Sequence, residues 1–232
     1  QAVREASRVH HDLLPYSRSG LHHATKTGVP VMRAMLLEFP EDPVVADMWD
    51  QFMYGPHLLV APVAREGVTE RDVYLPEGGW LDYTDKSTVY DGPETVTADA
   101  PVGELPVFVR EGAIVPRGDI LRANNNWTAN WEPSLRIEVF PGPDQISTYE
   151  YYTGERTRTI TADSGEDGIE VQFGDLGQDG TIEIYARNVT EVFSDGEQVS
   201  SSGYEYDANT HRLTVSFEGA TQLRLPGAES IF

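Results

Sequence analysis

Gly28-Val29-Pro30-Val31-Met32-Arg33-Ala34-Met35-Leu36-Leu37-Glu38-Phe39-Pro40-Glu41-Asp42-Pro43 is the stretch on which the fold turns. Val29 to Leu37 is a nearly continuous apolar run, too short for a long helix, and it predicts a buried parallel strand holding Arg33. Before it, Val3, Ala6, Val9, Leu13, Leu14, Ser17, Leu21 and Ala24 recur at three- and four-residue steps. That spacing predicts helix from the amino terminus to Thr27, interrupted at Pro15 and stopped at Gly28. After it, Asp42-Pro43 supplies an N-cap and a first-turn proline. Val44, Val45, Met48, Phe52 and Met53 then predict a short helix ending at Gly55. Helix, buried strand and helix form a unit of an α/β barrel or sheet, and one such unit does not stand alone.

Beyond Gly55 the pattern changes to short strand-like runs separated by Gly and Pro turns. Leu58 to Val63, Asp72 to Leu75, Trp80 to Tyr83, Thr95 to Ala98, Val107 to Arg110 and Ala113 to Val115 form a first series. Residues from Leu121 to Pro133 read as a linker centred on Asn124-Asn125-Asn126. A second series holds Leu135 to Phe140, Thr157 to Thr161, Ile169 to Phe173, Thr181 to Tyr185 and Leu213 to Phe217. It is punctuated by Asp167-Gly168, Asp179-Gly180 and Asp195-Gly196. The pattern predicts a mainly β chain whose last hundred residues form an antiparallel β-sandwich. The change of pattern at Gly55 and the linker divide the chain into residues 1–55, 56–122 and 123–232.

Composition limits the partners. Thirty-eight acids face seventeen bases, a formal charge of −21, and only Lys26 and Lys86 among the bases are lysines. Acids are spread along the chain, so the repulsion belongs to the folded surface, and molar salt would screen it. A salt-adapted host follows as the expectation, and within it a cytoplasmic setting. With no basic stripe, nucleic acid is not an expected partner. No run of about 18 apolar residues exists to form a membrane-spanning helix, and Gln1 to Arg8 do not resemble a secretory leader. There are no cysteines, hence no disulfides or thiolate metal sites.

Individual residues yield no catalytic set. His11 and His22 would share a helix face but lie on the order of 16 Å apart, so they and their neighbours His10 and His23 do not predict a metal site. Glu38 and Asp42 flank the carboxyl end of the expected strand, where barrel enzymes place functional groups. Asp42 is accounted for as a cap, however, and Glu38 has no visible partner. Arg33 needs a carboxylate or backbone partner, and a structural ion pair is the expectation. Trp80, Tyr83, Trp127, Trp131, Tyr149, Tyr151 and Tyr152 are rings that could stack on sugars, although rings in sandwiches mostly pack cores and seams. Asn126-Trp127-Thr128 and Asn188-Val189-Thr190 match the N-glycosylation pattern. No Gly-rich phosphate loop, Gly-x-Ser-x-Gly elbow or His-Glu-x-x-His is present, and no catalytic, cofactor-binding or metal residue is predicted.

Taken in order, the segments resemble one known family. Leu13-Leu14-Pro15-Tyr16, Gly28 to Met35, Glu38 to Pro43, Asp50-Gln51-Phe52-Met53-Tyr54-Gly55-Pro56, His57 to Val63, Val73-Tyr74-Leu75-Pro76 with Gly79-Trp80, and Leu105 to Gly112 are similar in order and spacing to the carboxy-terminal part of glycoside hydrolase family 31. The similarity is specific over residues 11 to 117. It is looser at Val139 to Asp144 and Thr148-Tyr149-Glu150, where Tyr151-Tyr152-Thr153 replaces an acidic turn common in the family. The resemblance implies a retaining α-glycosidase whose (β/α)8 barrel is followed by proximal and distal β-domains. This chain would then hold two antiparallel β-sandwich domains preceded by the last α/β piece of the barrel, with 1–55 the barrel end, 56–122 the proximal β-domain and 123–232 the distal β-sandwich domain. The resemblance also implies a nucleophile and an acid/base aspartate on earlier barrel strands, and no position of this chain matches either. The implied partners are an upstream barrel domain of the parent enzyme and, through it, an α-linked oligosaccharide; a homo-oligomer is a further expectation. Ala34-Met35 after Arg33 resembles α-xylosidase-like members, whereas α-glucosidases are the commoner activity. The rival reading is a free-standing carbohydrate-binding or structural β protein.

Overall fold

The computed structural model describes residues 2–118 and 135–232. The expected linker, with Trp127, Trp131 and the sequon at Asn126, lies outside them. The chain divides into two compact units, one of residues 2–9, 20–111 and Phe232, the other of residues 10–19 and 112–231.

Helices α1 (Ala2–Asp12) and α2 (Leu14–Thr27) replace the single interrupted helix. Pro15 falls in the first turn of α2, where a missing N–H removes no intrahelical bond. Gly28 ends α2 at φ +80°, its N–H donating to the Ala24 carbonyl at 2.9 Å. A glycine tolerates this left-handed stop without a Cβ clash.

The first unit is built on one sheet of β1 (Met32–Ala34), β2 (Phe52–Tyr54), β3 (Leu58–Val60), β4 (Glu70–Asp82), β5 (Val89–Asp99) and β6 (Val107–Arg110). The strand order is β1-β2-β3-β6-β4-β5, and every pairing is antiparallel. This corrects the buried parallel strand expected from Val29 to Leu37. Within that run only Met32, Arg33 and Ala34 form a strand, which pairs antiparallel with β2 while Met32 and Ala34 face outward. Met35–Glu38 then forms a single helical turn, α3. The helix expected over Val44 to Met53 is likewise replaced, by a 3-10 turn at Pro43–Val45 followed by β2. Apolar residues of both segments still reach the core: Met35, Val45 and Met53 pack with Leu59, Val73, Leu75, Trp80 and Phe108. Apolar character thus predicts burial at these positions, but tertiary pairing overrides local periodicity in setting the element type.

Two expected runs, Asp72–Leu75 and Trp80–Tyr83, fuse into the single long β4, interrupted by a bulge between Leu75 and Gly78. At the bulge Gly92 of β5 comes so close that a Cβ would sit 1.9 Å from the Pro76 carbonyl oxygen, so only glycine fits.

The second unit holds two sheets. Its strands are β7 (Ala113–Arg117), β8 (Leu135–Phe140), β9 (Ile146–Tyr152), β10 (Thr157–Gly165), β11 (Gly168–Gln172) and β12 (Gly180–Arg187). They continue with β13 (Phe193–Ser194), β14 (Glu197–Gln198), β15 (Tyr204–Asp207), β16 (Arg212–Phe217), β17 (Gln222–Pro226) and β18 (Glu229–Ser230). One sheet runs β14-β13-β17-β11-β10-β9; the other runs β15-β16-β12-β8-β7, with β18 added to β12. Alternate residues are buried along β10, β11, β16 and β17, the period-2 signature of strands with one covered face. The wholly antiparallel expectation is corrected at one place, since β12 pairs parallel with β8 from Gly180↔Leu135 to Ile184↔Val139. The Asp-Gly turn holds at one of the three pairs, Asp195-Gly196. Glu166 and Asp167 link β10 to β11, while Asp195 (φ +48°) and Gly196 (φ +85°) link β13 to β14 in the primed-turn geometry. Asp179-Gly180 instead leads into β12, with Gly180 as its first residue.

Residues 10–19 belong to this unit through specific bonds. The Tyr16 ring stacks on Tyr149 at 5.6 Å, and Ser19 Oγ accepts from the Tyr152 N–H at 3.0 Å. The Asp12 carboxylate bonds Arg117 and lies 3.0 Å from Arg136, and Arg117 in turn reaches the buried Glu138 at 3.1 Å.

Candidate functional site

The carboxylates that could have formed an acid/base couple are committed to structure. Glu38, which shows no partner in the sequence, closes an ion pair with Arg33 at 2.8 Å and faces Arg110 at 3.5 Å. Arg33 also donates through Nε to the Pro30 carbonyl at 3.0 Å, so the buried charge is both paired and hydrogen-bonded. Arg110 lies over the Phe39 ring at 5.4 Å. Near this cluster His57 is partly exposed as a residue, but its two ring nitrogens are shut off from solvent. Burial, together with the positive charges of Arg110 and Arg33, lowers its pKa to about 3, so it is neutral at pH 7.

Asp42 acts as the cap its position implies, accepting from the Val44 N–H at 2.9 Å. Its second oxygen accepts from the Tyr74 hydroxyl at 2.7 Å. Burial, this bond and the Asp42 charge push the phenol up to about 12. Next to it, Gln51 is 3% exposed and addresses both backbone groups of Tyr74: Nε2 donates to the carbonyl at 2.7 Å, and Oε1 accepts from the N–H at 3.1 Å. The side chain stands where a neighbouring strand would be, because β6 covers β4 only from Trp80 to Asp82.

The aromatic candidates also separate. Trp80, Tyr149 and Tyr151 are buried. Tyr152 stacks with Arg18 at 5.3 Å, and Tyr83 carries the Lys86 ammonium at 4.7 Å. The helix histidines join no group of three or more potential metal ligands among the described residues. Asn188 and Thr190 of the second sequon lie on the turn after β12, where Asn188 is exposed at φ +57°.

Trp49 is the residue that sequence reasoning misses. It is 82% exposed and lines an open cleft of about 450 Å³ in the first unit, with Asp50, Arg65, Val68, Arg71 and Asp72. It sits inside a helix-like apolar pattern, and nothing in that pattern marks the one large ring that does not join the core. A separate acidic cleft of about 690 Å³ in the second unit runs past Asp163, Glu166, Asp167, Glu170 and Asp195 to Arg224.

The geometry thus contains braced ion pairs, a strand-mimicking glutamine and one exposed ring, all within or beside the segments that share order and spacing with one family. Residues 28–115 match the glycosyl hydrolase family 31 C-terminal domain. Over these residues the chain belongs to glycoside hydrolase family 31. Among similar proteins, an isomaltosyltransferase of Sporosarcina globispora is 43% identical over 105 residues, covering 45% of this chain and 10% of that protein. Alpha-glucosidase 2 of Bacillus thermoamyloliquefaciens is 27% identical over 176 residues, covering 75% of this chain and 22% of that protein. In three dimensions, the Flavobacterium johnsoniae family 31 dextranase FjDex31A, complexed with glucose, superposes with a TM-score of 0.85 at 26% identity, over 97% of this chain and 32% of that one. The chain therefore spans between a tenth and a third of the length of these proteins. Arg33, Glu38, Asp42, Gln51 and His57 all fall inside the matched family segment.

Proposed function

We propose that this chain is the carboxy-terminal part of a retaining α-glycosidase that hydrolyses O-glycosyl bonds in α-glucosides. In this reading it braces an upstream barrel and supplies no catalytic aspartate of its own. The observation that carries the reading is the distribution of exposed apolar side chains. Leu21, Met32, Leu36, Leu37 and Val44 are all exposed, and all lie close together in the sequence around the start of the family match. Such density is unusual on a finished surface and suits a face covered by another domain. The relatives supply the domain: each is several times longer than this chain. Their names speak of isomaltosyl transfer, α-glucosides and dextran, all glucose-based, and this favours α-glucosides over the α-xylosides to which Ala34-Met35 points.

The absence of a catalytic pair in this reading is supported by the commitments of Glu38 and Asp42. One is held between two arginines, the other between a backbone N–H and a tyrosine. A retaining site needs two carboxyl groups about 5 Å apart with one free to attack. The test is hydrolysis of p-nitrophenyl α-glucoside and α-xyloside by this chain and by the longer protein encoded with it. The expected result is no turnover by the chain and turnover of the glucoside by the longer protein. Activity that stays with the purified chain at constant specific activity, or a longer protein inert toward both, overturns the reading.

A further inference from the structure

We propose that Trp49 and the cleft beside it form a binding surface for a glucose-based oligosaccharide; the choice of sugar rests on the function proposed above, whereas the surface itself does not. An indole is among the largest sources of burial free energy a chain has, and leaving one 82% exposed forgoes most of that gain. Here the ring is the rim of a concavity. Its walls are charged: Asp50, Arg65, Glu70, Arg71 and Asp72 mix both signs around it. An apolar helix or protein core laid against these walls would desolvate several charges without partners. A pyranose ring has the matching character, with a C–H face for the indole and a rim of hydroxyls for carboxylate and guanidinium groups.

The walls are held in place. The Arg71 guanidinium donates to Asp50 Oδ2 at 2.9 Å, to the Asp50 carbonyl at 2.7 Å and to the Pro62 carbonyl at 2.7 Å. The residue next to Trp49 is thus tied by both its side chain and its backbone to β4. Asp72 Oδ1 accepts from Thr97 Oγ1 at 2.9 Å. Each carboxylate keeps a second oxygen that accepts no hydrogen bond among the described residues, so each can accept a sugar hydroxyl without first breaking a bond. Preorganisation of this kind reduces the ordering cost of binding. A cation is not the fitting occupant, since the described residues here form no group of three potential metal ligands.

The experiment titrates the purified chain with isomaltotriose and with maltotriose, following indole N–H resonances, and measures the affinities of wild type, W49F and W49A by isothermal titration calorimetry. A saturable shift of one indole signal is expected, with that signal assigned by its loss in W49F. Affinity should fall at least about tenfold in W49A, which corresponds to about 1.4 kcal/mol, and much less in W49F, which keeps an aromatic face. Circular dichroism establishes that each variant is folded. Equal binding by W49A, or a folded wild-type chain that binds neither sugar, overturns the site. In the longer protein, an indole at 49 shielded from acrylamide quenching without sugar also overturns it, because a protein surface then occupies the cleft. The two proposals fail separately. A longer protein that hydrolyses α-glucosides while W49A binds normally refutes the cleft alone, and an inert one with Trp49-dependent binding refutes the proposed activity alone.

Discussion

Gln51 shows how much one side chain decides. Its amide fills both backbone positions of Tyr74 that no strand reaches, so replacement by leucine leaves a buried donor and a buried acceptor unsatisfied. At roughly 1–3 kcal/mol for each such group, Gln51→Leu is expected to lose about 2–6 kcal/mol. The measurement is the urea midpoint at unchanged m-value, and a loss below about 1 kcal/mol would mean another group takes over the bonds. Tyr74→Phe should cost less, about 1 kcal/mol, because Asp42 keeps its cap on Val44. His57 makes a pH prediction with a definite sign. Its folded pKa, about 3, lies below the unfolded value of 6.5. Between those values the unfolded chain binds a proton that the folded chain does not. The contribution of His57 is therefore complete above pH 6.5 and is lost progressively as pH falls toward 3. At pH 5 the loss is about 2 kcal/mol. Denaturation midpoints for wild type and His57→Gln from pH 8 to pH 5 should converge as the pH falls, and parallel curves would refute it.

At the scale of elements, the amino-terminal helices matter most. The sequence leaves three placements for the segment up to Gly55: exposed, paired with another copy, or laid on the β-domains. The structure places residues 10–19 with the second unit and residues 32–34 and 52–54 in the first sheet. Limited trypsin digestion should therefore cut after Arg65, in the exposed loop between β3 and β4, before it cuts after the buried Arg33. Amino-terminal sequencing of the fragments reads the order, and early cleavage at Arg33 would contradict the pairing of β1. Asp12 is the residue that anchors the helical segment. Asp12→Asn removes the carboxylate charge facing Arg117 and Arg136 while Glu138, 1% exposed, still holds Arg117. The pair is partly open to water, so the expected loss is about 1–3 kcal/mol, and it should shrink in molar salt. A thermal melt in low and high NaCl distinguishes this from loss of packing, which salt would not relieve.

Over the whole molecule, charge governs behaviour. With a formal charge of −21, repulsion among surface carboxylates opposes folding until it is screened. Raising NaCl from about 0.1 M to molar levels shortens the Debye length from about 10 Å to about 3 Å. Tm is expected to climb steeply over a series at roughly 0.1, 1 and 3 M, and a flat Tm would remove the case for salt adaptation. Mild acidification neutralises carboxylates and so acts in the same direction, but protonation of His57 opposes it. The His57→Gln variant at low salt should therefore gain more from acidification than wild type.

Composition and local pattern were sufficient for the acidic surface, the mainly β content and the resemblance to family 31, because these depend on residue type and order alone. Most strands, from Val107–Arg110 to Leu135–Phe140, were legible because alternation and flanking turns are local signals. Asp42 was legible as a cap for the same reason. Pairing partners were not. Whether Met32–Ala34 runs parallel or antiparallel, whether residues 52–54 are helix or strand, and that β12 lies parallel to β8 depend on which segments meet, and an apolar run carries no record of its neighbour. The partners of Glu38 and the exposure of Trp49 were hidden likewise. That Glu38 meets Arg110, far along the chain, and that one indole stays outside the core become visible only when the chain has closed on itself. Burial and ion pairing are properties of the surroundings a side chain reaches rather than of its place in the sequence.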